Sequence, residues 1–281
     1  MIMKTKEAKI GLITYDRPHF KTFQILKGLL KKKYKVVLLL VKFKKIKKNY
    51  DSAHRPNQFK KKISIKNLKI EKRNFSSKKD IEDLKYVFIG GSGLIDKKKI
   101  VPKKIINCHS GLIPESRGLD AVKWSIFRGN LVGNSLHFID ENIDKGTLIH
   151  QKITKFNSKC SLKQFYKTHY KQEISMLINF EKNIKTGNNY NLKSLHPNLR
   201  FPKIKEKDLV KKFASYKKDF NNLKNYYIRK KYFVHKTAIV DQNVKIGEGT
   251  KIWHWCHISK NSKIGKNCVL GQNIYIGENV K

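Results

Sequence analysis

A chain of 281 residues has room for one core domain of ordinary size and a second, smaller module. Its 39% hydrophobic residues, including 15 Phe and, beside them, 12 Tyr, are enough for a packed core and exclude a disordered chain. The formal charge of +42 comes from 63 cations, of which seven are Arg and 56 are Lys, scattered from the triplets at 31–33, 60–62 and 97–99 to Lys281. Arg forks onto phosphates and guanines, whereas scattered Lys decorates a solvated surface, so no specific nucleic-acid partner is expected. The same field would attract a small anionic substrate.

No run approaches the roughly 20 apolar residues that a membrane-crossing helix needs. The longest, VVLLLV at 36–41, has the length of a buried strand. The N-terminus lacks an apolar segment of signal-peptide length ending in a small-residue cleavage site, so a cytoplasmic protein without a membrane partner is expected. Cysteines at 108, 160, 256 and 268 show no CxxC spacing and read as reduced, packed thiols.

Residues 9–41 predict strand, helix, strand: KIGLIT, then Phe23, Leu26, Leu29 and Leu30 at helical spacing, then the continuous apolar strand KVVLLLV. Further strands are expected at about 85–90, 104–108, 134–139 and 147–153. Continuous apolar strands belong to parallel sheets covered on both faces, so the first domain, 1–190, is expected to be α/β and Rossmann-like with a mostly parallel sheet. No GxGxxG turn follows the first strand. A turn GGSG at 90–93 follows a later strand, where ligands sit in open α/β sheets.

From residue 161 the pattern is helical, with Ser161 and Gln164 as a capping box and Leu162, Phe165, Tyr166, Tyr170, Ile174, Leu177 and Ile178 on one face. Residues 191–229 form a connecting region with a short helix near 206–214. The tail, 230–281, changes period: Val234, Val240, Ile246, Ile252, Ile258, Ile264, Leu270 and Ile276 recur every six residues. Four places after each come Ala238, Val244, Thr250, Cys256, Ser262, Cys268, Ile274 and Val280. This resembles the hexapeptide-repeat left-handed β-helix, with Gly247, Gly265, Gly271 and Gly277 at its turns and fewer than three coils. His254, Cys256 and His257 suggest no metal, because Cys256 belongs to an interior series.

Asn107-x-His109 alone is a weak signal. In order with GGSGLI (90–95), LIP (112–114), Arg117-Gly118, His137-Phe138-Ile139-Asp140 and Asp144-x-Gly146, it resembles the folate-dependent formyltransferase family over about residues 8–182. Ser110 stands where that family usually has Pro after the His. The resemblance implies Asn107, His109 and Asp144 as catalytic residues and 10-formyltetrahydrofolate as formyl donor. Asn107 would donate an N–H to the oxygen of a tetrahedral intermediate, His109 would stabilise it or manage the amine's proton, and Asp144 would orient the imidazole. The folate contacts carried over are Ser92, Gly93, Leu94 and Ile95 on one side, and Ile139, Asp140 and Glu141 on the other. His137 is expected to pack, or to support Asn107.

The segments LITYDRPHFKT (12–22), AHRPNQF (53–59) and GLIPESRGLDAVKW (111–124) look most similar to sugar-nucleotide N-formyltransferases. The tail resembles the start of hexapeptide N-acetyltransferases that act on nucleotide-linked amino sugars. The implied substrate is a nucleotide-linked amino-dideoxysugar for surface polysaccharide, with Arg17, Arg55, Arg117 and Trp124 as candidate contacts. A homo-oligomer, a trimer through the β-helix, would follow from completing the solenoid. The rivals are a methionyl-tRNA formyltransferase, favoured by the charge, and a non-catalytic assembly module.

Overall fold

The computed structural model describes residues 6–43, 56, 58–59, 70–141, 146–184, 197–229 and 232–281. They fall into two compact units, Met1–Ala214 and Ser215–Lys281.

The first unit is built on a seven-stranded sheet: β1 (Lys6–Tyr15), β2 (Tyr34–Val41), β3 (Glu71–Asn74), β4 (Tyr86–Ile89), β5 (Ile105–His109), β6 (Gly133–Phe138) and β7 (Leu148–Ile153). Their order is β3-β2-β1-β4-β5-β6-β7. The first five run parallel, and β6 and β7 are antiparallel additions. The helices are α1 (Phe20–Lys31), α2 (Ala121–Arg128), α3 (Leu162–Ile178), α4 (Phe180–Ile184) and α5 (Leu209–Arg229), and the unit boundary falls within α5.

The period-two rule assigns alternate strand residues to opposite faces. On one face Ile10, Leu12, Leu38, Phe88, Ile106, Cys108 and Leu136 form a core with Ile25, Leu26 and Leu29 of α1, Ile174 and Leu177 of α3, and Phe180. On the other face Ile13, Val37, Leu39, Val87 and Ile105 pack on Phe75, Ile81 and Leu84. Both faces are buried, which is why β1 and β2 read as continuous apolar runs. The helix expected through Phe23, Leu26, Leu29 and Leu30 forms as α1, but Leu30 is exposed and Ile25 takes its place in the core. The capping box of α3 is present as expected, with Ser161 Oγ accepting from Gln164 N and Gln164 Oε1 from Ser161 N. A buried ion pair, Lys21 Nζ to Glu173 Oε1 at 2.6 Å, joins α1 to α3. In place of the short helix expected near 206–214, a 3-10 turn over Lys203–Asp208 leads into the 21-residue α5.

The second unit continues with eight two-residue strands, β8 (Phe233–Val234), β9 (Ile239–Val240), β10 (Lys245–Ile246), β11 (Lys251–Ile252), β12 (His257–Ile258), β13 (Lys263–Ile264), β14 (Val269–Leu270) and β15 (Tyr275–Ile276). They form three small parallel sheets, β8-β11-β14, β9-β12-β15 and β10-β13. Phe233, Lys251 and Val269 lie side by side, so the chain returns to each sheet after eighteen residues. Ile252, Cys256, Ile258 and Leu270 are buried at the centre, joined by Val234, Ala238, Val240, Val244, Ile246, Ile264, Cys268 and Ile276. Both period-six series therefore supply this core. Small polar members of the second series bond from coil to coil: Thr250 Oγ1, Cys256 Sγ and Ser262 Oγ donate to the carbonyls of Gly265, Gly271 and Gly277 at 2.8, 2.7 and 2.7 Å.

Gly247, Gly265, Gly271 and Gly277 are not the residues that turn the corners. Positive φ falls two places later than these, at Asn243, Gly249, Trp255, Asn261, Asn267, Asn273 and Asn279, though not at Thr237, the corresponding residue of the first hexad. Gly247 serves close approach instead: a Cβ there would lie 2.4 Å from the Gly265 carbonyl oxygen.

Candidate functional site

The sheet order reverses between β1 and β4, and the carboxyl ends of β1, β4 and β5 carry the polar motifs. In an open α/β sheet this edge is where ligands bind. β5 ends in Ile105-Ile106-Asn107-Cys108-His109, with Ile106 and Cys108 in the helix-side core and Ile105 in the opposite one. Asn107 and His109, two residues apart, therefore share the face away from α1 and α3. Asn107 is partly exposed, and His109 is 7% exposed.

Across the antiparallel pair β5–β6, Asn107 faces His137 and His109 faces Ser135; β7 extends the second row with Gln151 opposite Ser135. His137 Nδ1 lies 3.2 Å from the Phe138 carbonyl oxygen and its Nε2 lies 3.4 Å from Asn107 Nδ2. An imidazole that donates from Nδ1 accepts at Nε2, so this contact orients the Asn107 amide as a donor. His137 was expected to pack or to support Asn107, and it is placed for the second role.

His109 Nε2 lies 2.7 Å from the Ser116 carbonyl oxygen, which has no proton to give. The ring therefore holds its proton on Nε2, and Nδ1 is the basic nitrogen of the neutral form. Two features let the carbonyl come so close. Residue 111 is glycine, and a Cβ there would stand 2.2 Å from Ser116 O and 2.9 Å from His109 Nε2. The loop is also tied to the sheet: Ser135 Oγ donates to Gly111 O (2.7 Å) and accepts from Ile113 N (3.0 Å), while Gln151 Nε2 donates to Ile113 O (2.6 Å) and Ser135 Oγ (3.0 Å). Ser116 Oγ in turn donates to Ala121 O and accepts from Ser125 Oγ. Ser135 and Gln151 carried no sequence signal, since each is one polar residue in a short strand. The cue that was available is the spacing of Ser135 two places before His137.

The GGSG turn follows β4 directly. A Cβ at Gly91 would lie 2.6 Å from the His19 ring, so the turn packs against the residue that caps α1. Gly93 has open space around its missing Cβ, and Leu94 is 86% exposed beside it. Ile95 is partly buried in the core below. Ile139 N bonds to Ile105 O at 2.9 Å, placing the 139–141 segment beside β5, with Asp140 and Glu141 exposed.

At the carboxyl end of β1, Tyr15, His19, Phe43 and Phe59 cluster with ring centroids 5.0–5.9 Å apart. The exposed Arg17 guanidinium lies 3.9 Å over the Phe43 ring. Burial pushes the Tyr15 phenol above its ordinary pKa. The other predicted substrate contacts differ in setting. Arg117 is buried, in a strap where Asn198 N donates to its carbonyl. Trp124 is half-buried against Phe127 and Phe201, its Nε1 donates to Leu199 O at 2.8 Å, and Arg128 covers its ring. Both are held by their neighbours. Asp144 and Arg55 lie outside the described residues.

The site thus sets an amide donor, Asn107, and an imidazole of fixed tautomer, His109, at the carboxyl edge of a mostly parallel sheet in an α/β fold. The chain belongs to the formyl transferase family, whose profile matches residues 24–180, more than half of the sequence. It is 34% identical over 64 residues to the mitochondrial formyltetrahydrofolate deformylase 2 of Arabidopsis thaliana, a match covering 22% of this chain and 20% of that protein. It is 34% identical over 71 residues to the phosphoribosylglycinamide formyltransferase of Bacillus subtilis (strain 168), covering 25% of this chain and 36% of that protein. The matches thus span little more than a third of those relatives at most. A similar solved structure is the formyltransferase PseJ from Anoxybacillus kamchatkensis in complex with UDP-4,6-dideoxy-4-formamido-L-AltNAc and tetrahydrofolate. The identity is 18%, over 72% of this chain and 90% of that one, with a TM-score of 0.44.

Proposed function

We propose that this chain transfers a formyl group from 10-formyltetrahydrofolate to the amine of a nucleotide-linked amino-dideoxysugar, as a step in building a surface polysaccharide. The observation that carries the proposal is the pair Asn107 and His109 on one face at the end of β5, with both polar groups oriented by neighbouring hydrogen bonds. When bound, 10-formyltetrahydrofolate supplies the one-carbon acyl group. Leu94 and the Ser92–Ile95 turn would hold it on one side, and the backbone at 139–141 on the other. Asn107 Nδ2–H donates to the oxygen that gains negative charge as the amine attacks. His109 Nδ1 would receive the proton that the amine loses and give it to the donor's nitrogen as the bond from that nitrogen to the formyl carbon breaks, releasing tetrahydrofolate, while the Ser116 carbonyl holds the opposite side of the ring. Asp144 is assigned the stabilisation of the resulting imidazolium.

The sugar assignment is supported by the resemblance of segments 12–22, 53–59 and 111–124, and by Arg17, the exposed cation beside the aromatic cluster at the end of β1. It is also supported by the tail, whose eighteen-residue return suits three six-residue faces per coil and hence a partial left-handed β-helix. Such a solenoid would bring copies of the chain together, a trimer being the simplest closed form. The charge of +42 favours a second reading, formylation of an aminoacylated tRNA. The two readings separate by salt. A diphosphate sugar carries about two charges and loses affinity modestly between low and physiological salt, whereas a tRNA reader that neutralises several phosphates loses orders of magnitude. Formylation of a sugar-nucleotide amine and of aminoacylated initiator tRNA, each followed at both salts, should show activity on the sugar alone. Efficient formylation of the tRNA alone would overturn the sugar assignment.

A further inference from the structure

From residue 243 on, the turns of the tail obey one rule with one exception; the turn before them, at Thr237, lacks positive φ. Seven positions, spaced six apart from 243 to 279, hold φ between 54° and 78°. Six of them are Asn or Gly: Asn243, Gly249, Asn261, Asn267, Asn273 and Asn279. These are the residues that tolerate left-handed backbone, Gly because it lacks Cβ and Asn because its short amide bonds locally. The seventh is Trp255, at φ 54°. A bulky aromatic in this conformation is a steric outlier, and strain of this kind persists where function requires the side chain.

Packing does not account for it. Trp255 is 61% exposed, so little of its burial offsets the strain. It also stands among other rings: Phe233 is 42% and Trp253 36% exposed. His235 and His254 have centroids 3.7 Å apart with their planes tilted by 40°, and His254 lies 5.6 Å from Trp255 and 6.0 Å from Trp253, parallel to the latter within 17°. His254 Nδ1 is a buried nitrogen without a hydrogen-bond partner. Two features that cost stability, a strained Trp and a desolvated ring nitrogen, therefore sit at one corner of an otherwise regular stack.

We propose that the corner formed by Phe233, His235, Trp253, His254 and Trp255 is a binding site, separate from the strand-end site of the first unit, for a ligand that lays a ring face on exposed indole. The residue set selects this chemistry. This corner presents ring faces with exposed Lys beside them, and such faces take a nucleobase or the C–H face of a pyranose. The exposed Lys236, which acts electrostatically on His235, and the exposed Lys251, adjoining Phe233 in the register, favour a phosphate on that ring. The ligand class is thus a phosphorylated ring compound, a nucleotide or a sugar phosphate.

The test uses the full chain and the variants Trp255→Asn and Trp255→Gly, which restore the residue types of the other corners. Uridine monophosphate, glucose 1-phosphate and inorganic phosphate are added separately at millimolar concentration, and amide hydrogen exchange is followed in peptides covering 250–257. Slowed exchange there with one of the ring phosphates, but not with inorganic phosphate, is expected, and which ring acts distinguishes a nucleotide from a sugar phosphate. Both variants should lose that protection at least tenfold while their unfolding midpoints rise by about 2–4 °C, because the strain is gone. Formyl transfer should persist, and because exchange at 250–257 is read independently of turnover, the fate of the formyltransferase assignment does not affect the outcome. Protection by inorganic phosphate alone, no protection by either ring compound, or a fall in the midpoint on Trp255→Asn would overturn the proposal, the last by showing that the indole serves the fold.

Discussion

The proposed chemistry is concentrated in two side chains, Asn107 and His109, whose orientation is decided elsewhere. Asn107 and His109 stood out only through the ordered motifs that resemble the formyltransferase family, and His137 was named beside Asn107, whereas the Ser116 carbonyl, Ser135 and Gln151 that fix His109 and its loop were not legible. His137 reaches Asn107 because β6 runs antiparallel to β5 in a register that sets 137 opposite 107, and no local pattern encodes that register. Replacing Asn107 or His109 by Ala should each lower turnover about 100-fold or more, the usual loss when a preorganised donor to a developing oxyanion is removed. The double variant should be little worse than the worse single one, because the two act as a unit. A steady-state assay in which His109→Ala kept near-normal turnover would remove the imidazole from the mechanism. Ser135 acts at one remove, holding the loop whose Ser116 carbonyl fixes the His109 tautomer. Ser135→Ala should reduce kcat roughly ten- to 100-fold with little change in KM for the amine, since misplacement by about an ångström is enough. Ser135→Thr, which keeps the hydroxyl, should recover most of the loss; equal damage by both would point to packing.

Elements with a strong apolar signature were legible, and those without one were not. β1, β2, β4, β5, β6 and β7 all follow expected strands, because each must bury side chains in the sheet's cores. β3, Glu-Lys-Arg-Asn, is polar throughout and pairs with β2 along one edge, so its sequence gives no alternation to read. The length of α5 was missed because its many Lys obscure a stripe that was present, with Leu209, Phe213 and Tyr216 buried at spacings of four and three. The period of six in the tail was legible and its short strands recur at that spacing, but positive φ falls two residues after the glycines expected at the turns, mostly at Asn.

The edge strand β3 is secured by charge. Arg73 donates both terminal nitrogens to Asp83, at 2.6 and 2.9 Å, and Nε to Glu71 at 2.7 Å. The Arg73 hydrogen bonds hold the Asp83 carboxyl at about 2, against an ordinary value of 3.8. A carboxyl whose pKa is lowered by folding adds stability above its unfolded value, and that contribution disappears as pH falls through the folded one. Partial exposure keeps the effect small. In an acid titration followed by circular dichroism, Arg73→Leu should start less stable at pH 7 and lose less between pH 3.8 and 2 than the parent. Parallel curves would show that the cluster contributes nothing to the fold.

At the scale of the molecule, the +42 charge is a property of composition, spread over both units, and the groups proposed for chemistry all lie in the first. Among the described residues no helix is long and apolar enough to cross a membrane. Removing 233–281 should therefore leave formyl transfer largely intact while lowering the particle mass seen by light scattering. Loss of activity in a folded truncated protein would make the tail part of the catalytic apparatus. The central claim is tested most directly by mass spectrometry of nucleotide-linked amino sugars incubated with the full chain and 10-formyltetrahydrofolate. At least one sugar should gain the mass of a single formyl group at its amine, with the gain slowed about 100-fold or more by Asn107→Ala. Unchanged masses across the panel, with folded protein and intact donor, would contradict the account.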